Sequence, residues 1–209
     1  MEYAPNQQDW AQKYRPQKLE DMILPAGLLM RLQNIRDKKN RMSLLFQGSP
    51  GTGKTTAARL IHDEVYEMNC SDERGIGDVR LLASRVCSRC IFNDIRLVLL
   101  DEADYLTPDA QALLRKVIED HSVVNMFALT ANYPEKLSAP LHSRLYQVDF
   151  SFGAGDIVLK DAMVKRVMEI LENEKVKTDI ALVRAIVREE FPNMRYILKR
   201  VQFEIGLAN

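Results

Sequence analysis

The sequence predicts an α/β fold: a mostly parallel sheet with helices on both faces, followed by a small helical domain. Three observations carry this expectation. Short β-rich runs alternate with helical stretches as far as Phe150, a glycine-rich turn joins the first of those runs to a helix, and beyond Phe150 the strand signal stops.

The runs are Ser43-Leu44-Leu45-Phe46, Val65-Tyr66-Glu67-Met68, Leu97-Val98-Leu99-Leu100, Met126-Phe127-Ala128-Leu129-Thr130 and Tyr146-Gln147-Val148-Asp149-Phe150. Strands separated by helices cannot pair through tight hairpins, so a parallel arrangement follows. Ser151-Phe152-Gly153-Ala154-Gly155 is a small-residue linker, after which helical runs are expected near 157–174, 178–190 and 194–206. The expected division is a first domain over 1–152 and a helical domain over 153–209, without internal repeats.

With 209 residues, 46% apolar and 28% charged, the chain has ordinary globular composition and room for one good core plus a small second domain. Lys and Arg total 29, as do Asp and Glu, so any nucleic-acid contact must come from a local patch. The N-terminus lacks the apolar core of a signal peptide, and no apolar run approaches the ~18 residues that spanning a membrane needs. A cytoplasmic protein is expected. Cys70, Cys87 and Cys90 form an odd set. Cys87-Ser88-Arg89-Cys90 is a lone C-x-x-C without the further ligands a structural zinc requires, and reads as two thiols on a helix.

Gly48-Ser49-Pro50-Gly51-Thr52-Gly53-Lys54-Thr55 fits G-x-x-x-x-G-K-[ST] between a strand and a helix expected over Thr55–Asp63. Glycines let successive N–H groups turn inward around an anion, the helix start adds partial positive charge, and Lys54 supplies a charge for the β and γ phosphates. The Thr55 hydroxyl suits Mg²⁺. A turn that merely joined strand to helix would need neither the lysine nor the hydroxyl. Leu97-Val98-Leu99-Leu100-Asp101-Glu102-Ala103-Asp104 then delivers acids to the C-terminal edge of the sheet. Asp101 reads as the Mg²⁺ acid and Glu102 as the general base for an attacking water, with Asp104 the alternative base. A solvated acidic turn is the plainer reading of that cluster taken alone.

Together "QKYRPQKLEDMILP", "GSPGTGKTT", "MNCSDERGIGDVR", "LVLLDEAD", "LTANYPEKLSAPLHSRL" and "FPNMR" resemble, in order and spacing, AAA+ clamp-loader small subunits: the replication factor C small subunits and the ATPase subunit of tailed-phage clamp loaders. The resemblance runs from Lys13 to Arg200, and Ile23-Leu24-Pro25 with the compact lid looks more like the phage version. It implies a P-loop AAA+ core with a five-stranded parallel sheet and a three-helix lid; the collar domain such subunits normally carry is the expected departure, through truncation or through assembly that depends on another chain. ATP and Mg²⁺ are the implied cofactors. Primer-template DNA, a sliding clamp and other clamp-loader subunits are the implied partners, in the cytoplasm of a cell or of a phage host.

Residue by residue, the resemblance implies that Tyr14, Arg15, Pro16, Ile23 and Leu24 wrap the adenine, while Gly48 to Thr56 hold the phosphates. Asn132 resembles sensor 1, an amide facing the γ phosphate or the water. Arg144, in Ser-Arg-Leu where the family has Ser-Arg-Cys, resembles an arginine finger acting on a neighbouring subunit. Arg195 resembles sensor 2. Arg74, Ile76 and Arg80 fall where the family tracks the DNA backbone, and Arg74 resembles a switch that restrains the catalytic glutamate. By helical spacing alone, Arg80, Arg85 and Arg89 form an exposed basic face. Gln111 and Arg115, on a helix expected over Pro108–Asp120 and capped by Thr107, look like polar residues opposite the stripe Ala110, Leu113, Leu114, Val117 and Ile118. In the family they resemble a pair coupling one ATP site to the next.

Three function classes stay open: a clamp-loader ATPase subunit, another AAA+ replication or recombination remodeller such as a helicase loader, and an ATP-gated binding module without turnover.

Overall fold

The computed structural model describes residues 9–37, 42–86 and 96–206. In chain order the elements are α1 (Trp10–Lys13), α2 (Ala26–Asp37), β1 (Leu44–Gln47), α3 (Lys54–Leu60), β2 (Val65–Asn69), α4 (Ile76–Val86), β3 (Arg96–Asp101), α5 (Pro108–His121), β4 (Asn125–Ala131), α6 (Ala139–His142), β5 (Tyr146–Asp149), α7 (Ile157–Asn173), α8 (Ile180–Glu190) and α9 (Met194–Val201).

The five expected strands form one sheet, in the order β2-β3-β4-β1-β5, and every pair is parallel. Central β4 is buried along its whole length, and Leu44, Leu45, Phe46 and Leu97 to Leu100 have no solvent exposure. Each such side chain removed from water contributes about 1.5–3 kcal/mol. Asn125, at the buried start of β4, donates its amide to the Val86 and His121 carbonyls. In a parallel sheet all strands end on the same edge, and that edge receives Asp101 from β3 and Thr130 from β4.

The contacts divide the chain into two compact units. One comprises Gly27–Gly48 and Lys54–Ser151; the other gathers Met1–Ala26, Ser49–Gly53 and Phe152–Asn209. One division between the units falls between Ser151 and Phe152, and the N-terminal segment groups with the helical residues. The reason is packing: Trp10 lies in the core formed by Val164, Val167, Val183, Ile186 and Val201. Its backbone N–H donates to Gln202 Oε1 at 2.9 Å. Lys13 and Tyr14 both bond Glu174.

Element ends differ most from expectation in two places. The helix after the glycine turn runs Lys54–Leu60 rather than to Asp63, because the chain turns towards β2 and His62 Nδ1 accepts the Glu64 N–H at 3.1 Å. The last helix is regular only to Val201 and ends in a π-helical turn, Gln202–Gly206. Gly206 lets the Trp10 ring pack close there: a Cβ would stand 2.9 Å from that ring and make it shift.

Candidate active site

The glycine turn is built as the motif demands. Gly48, Gly51 and Gly53 have φ of 137°, 75° and 98°. A Cβ on Gly48 would meet the Phe150 carbonyl carbon at 2.7 Å, and one on Gly51 would overlap Asn193 Oδ1 at 1.8 Å. Asn193 caps α9, its side chain accepting the Tyr196 N–H. Within the turn the Thr52 hydroxyl donates to the Ser49 carbonyl at 2.9 Å. Lys54 is buried at 6% exposure, and its ammonium reaches back to the Gly48 carbonyl at 2.7 Å.

Thr55, the next residue, donates its hydroxyl to Asp101 Oδ1 at 2.7 Å, joining residues 46 apart in sequence. The same oxygen accepts the Thr130 hydroxyl at 2.6 Å, and Thr130 Oγ1 in turn accepts the Glu102 N–H at 2.9 Å. Among the described residues, Asp101 Oδ2 accepts no hydrogen bond. A hydroxyl and a carboxylate this close, with one carboxylate oxygen uncommitted, fit Mg²⁺, a hard ion that takes one or two protein oxygens and fills its shell with water and phosphate.

Glu102 adopts φ 57° and ψ 44°. A left-handed glutamate costs about 1–3 kcal/mol and persists where its surroundings over-determine it. Its carboxylate and the Asn132 carboxamide make no hydrogen bond with any described residue. Asp104 is different. It is buried at 5% exposure, and its two oxygens accept the N–H groups of Asn132 and Tyr133 at 3.4 and 3.2 Å. Those bonds tie the acidic turn to the end of β4, so Asp104 is committed to structure.

The remaining candidates are placed as follows. Tyr14 is half-buried and tied to Glu174 in the helical unit; burial first, then that hydrogen bond, pushes its phenol up. Arg195 is exposed on α9. Arg144 is exposed and pairs with Glu119 at 2.7 Å, and Arg115 lies 3.8 Å from the same Glu119 oxygen. Arg74, Ile76 and Arg80 are exposed. Arg74 makes no side-chain bond to Glu102; its carbonyl accepts the Thr107 N–H at 3.1 Å.

One expectation is corrected. Gln111 is not on the open side of α5: it is buried at 4% exposure. Its Nε2 donates to the Leu106 and Lys136 carbonyls and its Oε1 accepts the Ser138 N–H. The turn at 134–138 covers the face that helical spacing leaves open. On the basic face of α4, Arg80 and Arg85 are both exposed, and Arg85 also donates to the Tyr66 hydroxyl at 2.6 Å, while Arg89, Cys87 and Cys90 lie outside the described residues. Cys70 is fully buried, and burial, aided by the charge of Asp101, pushes its thiol up to about 12. Among the described residues no three His, Cys, Asp or Glu side chains cluster as metal ligands, and no helix is long and apolar enough to cross a membrane. Thr130 and Glu119 escaped the sequence reading as partners of the site, and Asp104 was read there as an alternative base rather than as a structural acceptor; only Thr130's position two before Asn132 hinted at a shared strand face.

Residues 44–153 match the ATPase family associated with various cellular activities (AAA). The chain is 39% identical over 213 residues to a replication factor C small subunit of Staphylothermus marinus, covering 95% of this chain and 62% of that protein. To the replication factor C small subunit of Methanococcus vannielii it is 34% identical over 207 residues, covering 94% and 64%. It therefore spans a little under two thirds of these archaeal relatives. Among solved structures it is similar in fold to the RuvB Holliday junction branch migration motor of Thermotoga maritima, with TM-score 0.68 and 20% identity over 91% of this chain and 64% of that one. A DNA polymerase III gamma subunit-related protein from the same organism superposes with TM-score 0.55 at 15% identity, covering 76% and 57%.

Proposed function

The chain belongs to the AAA family of ATPases, and we propose that within it the protein is an ATPase subunit of a DNA sliding-clamp loader. In this reading it uses ATP binding and hydrolysis to open a clamp and place it at primer-template DNA. The observation that carries the ATPase part is the Asp101 Oδ1 junction, where the hydroxyl of the phosphate loop and the acid of β3 meet at 2.7 Å beside a left-handed Glu102. The clamp-loader part is supported by similarity to replication factor C small subunits over more than nine tenths of this chain. The named relatives are archaeal, so the phage-like reading rests on Ile23-Leu24-Pro25 and the compact helical segment.

Each residue then has a task. Backbone N–H groups of Gly48 to Gly53 surround the phosphates, and Lys54 exchanges the Gly48 carbonyl for phosphate oxygens. Thr55 and Asp101 hold Mg²⁺, which when bound neutralises charge on the β and γ phosphates. Glu102 accepts the proton of the attacking water, Asn132 orients that water or the γ phosphate, and Arg144 serves the site of a neighbouring subunit. Arg195 reports the γ phosphate to the helical unit. Tyr14, Arg15, Pro16, Ile23 and Leu24 enclose the base. Arg74, Ile76 and Arg80 follow the DNA backbone, a contact of charge rather than sequence.

The deciding measurement is ATPase rate with and without primer-template DNA and a sliding clamp. Stimulation by the two together supports the clamp-loader reading. A rate indifferent to both removes it while leaving ATP hydrolysis intact, and no turnover at all returns the chain to a nucleotide-gated binding module.

A further inference from the structure

We infer that Thr130 is a positioning residue of the hydrolytic centre, its hydroxyl setting both the Mg²⁺ acid and the catalytic glutamate. This rests on the ATPase reading and deepens it.

A threonine hydroxyl has one proton to give. In Thr130 it goes to Asp101 Oδ1 at 2.6 Å, while the oxygen accepts the Glu102 N–H at 2.9 Å. One atom thus grips two consecutive residues, the side chain of the first and the peptide of the second. The backbone makes the grip possible: β3 and β4 pair in parallel with Leu100 beside Leu129, so the next register step sets Asp101 beside Thr130. The grip is rigid because Thr130 is 2% exposed on a fully buried strand.

Two consequences follow. Because Thr55 and Thr130 both donate to Oδ1, the carboxylate is fixed with Oδ2 left for a metal's shell. Because the Glu102 N–H is anchored, the left-handed turn at φ 57° holds, and with it the direction of the Glu102 side chain. A buried threonine that only satisfied its own hydroxyl would affect stability; a positioning residue affects turnover with ATP affinity unchanged.

The test compares Thr130→Val, which keeps the shape and removes the hydroxyl, with Thr130→Ser, which keeps it, in the full chain. Four quantities are read: ATP affinity, single-turnover hydrolysis rate, the Mg²⁺ concentration at half-maximal rate, and amide hydrogen exchange at Glu102. The valine variant is expected to bind ATP within about threefold of wild type, hydrolyse it roughly tenfold or more slowly, need more Mg²⁺ and exchange the Glu102 amide faster. The serine variant is expected to recover on all counts. Should the valine variant not fold, Thr130→Cys takes its place, with the same losses expected in smaller measure. Wild-type rate and Mg²⁺ requirement in the folded valine or cysteine variant overturn this inference alone. Absence of ATP binding by the wild-type chain overturns the ATPase reading and this inference with it.

Discussion

Arg144 donates to Glu119 at 2.7 Å, so the residue proposed to act on a neighbouring subunit is held by a carboxylate of its own chain. Glu119 also faces Arg115, on the helix where Gln111 is pinned by three backbone groups. Both members of the Arg144–Glu119 pair are more than a third exposed at the side chain or close to it, 52% and 35%, and such pairs are worth about 0.2–1 kcal/mol. A phosphate can displace Glu119 at little cost.

Arg144→Ala is therefore expected to fold and to bind ATP in its own site as wild type does, yet to fail in activating a neighbour. Mixing it with Glu102→Gln checks this, because a wild-type Arg144 then meets an intact Glu102 only across a subunit interface. Activity regained on mixing, at high protein concentration or on DNA, is the expected outcome. A basal rate indifferent to Arg144 under every condition removes the finger assignment.

Glu102 and Asp104 are expected to separate in opposite directions. Glu102→Gln should melt as wild type does and hydrolyse ATP about 10²-fold more slowly, the scale for losing a general base. Asp104→Asn replaces an acceptor of two N–H groups and should lower the melting temperature, since each buried group left unpaired costs about 1–3 kcal/mol. Equal loss of rate and of stability in both variants would sink the distinction.

Gly51 and Gly27 form a second contrast. Gly51→Ala forces a side chain into φ 75° and onto Asn193 Oδ1; the backbone term alone costs about 1–2 kcal/mol. ATP affinity should fall with stability. Gly27→Ala, on α2 with nothing within 4 Å of the new Cβ, should be neutral or stabilising by roughly 0.5–1 kcal/mol. Thermal melting and nucleotide titration read both.

The N-terminal tie to the helical unit carries a pH dependence. Lys13, then Tyr14, by hydrogen bonding hold the Glu174 carboxyl below its ordinary 4.5, and a carboxyl lowered on folding gives stability that is lost as pH falls through its folded value. Lys13 is raised above its ordinary 10.5 by the Glu174 hydrogen bond, and its contribution is lost as pH rises through that raised value. Glu174→Ala should thus melt below wild type near neutrality. The two melting curves should converge below pH 4.5 and above 10.5; a difference constant with pH would show that the tie is not ionic.

The five strands and the glycine turn were legible because each is declared by contiguous residues: apolar runs buried in a parallel sheet, and glycines, a lysine and a hydroxyl at fixed spacing within eight residues. Thr130 was not, since its role depends on the register between β3 and β4, which no local pattern encodes. Gln111 was misjudged for a related reason. Helical spacing set it opposite the apolar stripe, and only the return of the chain at 134–138 covers it. Trp10 joins a core whose other fully buried members begin at Met163, a partnership that periodicity cannot announce.

Cys70 is sealed at the end of β2, its N–H bonded to the Asp101 carbonyl at 2.8 Å, its side chain without exposure and its thiol protonated at neutral pH. Alkylating reagents attack thiolate, so they reach this sulfur only when the structure beside Asp101 opens. With Cys87 and Cys90 replaced by serine, Cys70 is the last of the three thiols in the chain. Its rate of modification then becomes a clock placed by nature one strand away from Asp101, timing how often the sheet edge opens with nucleotide bound and without it.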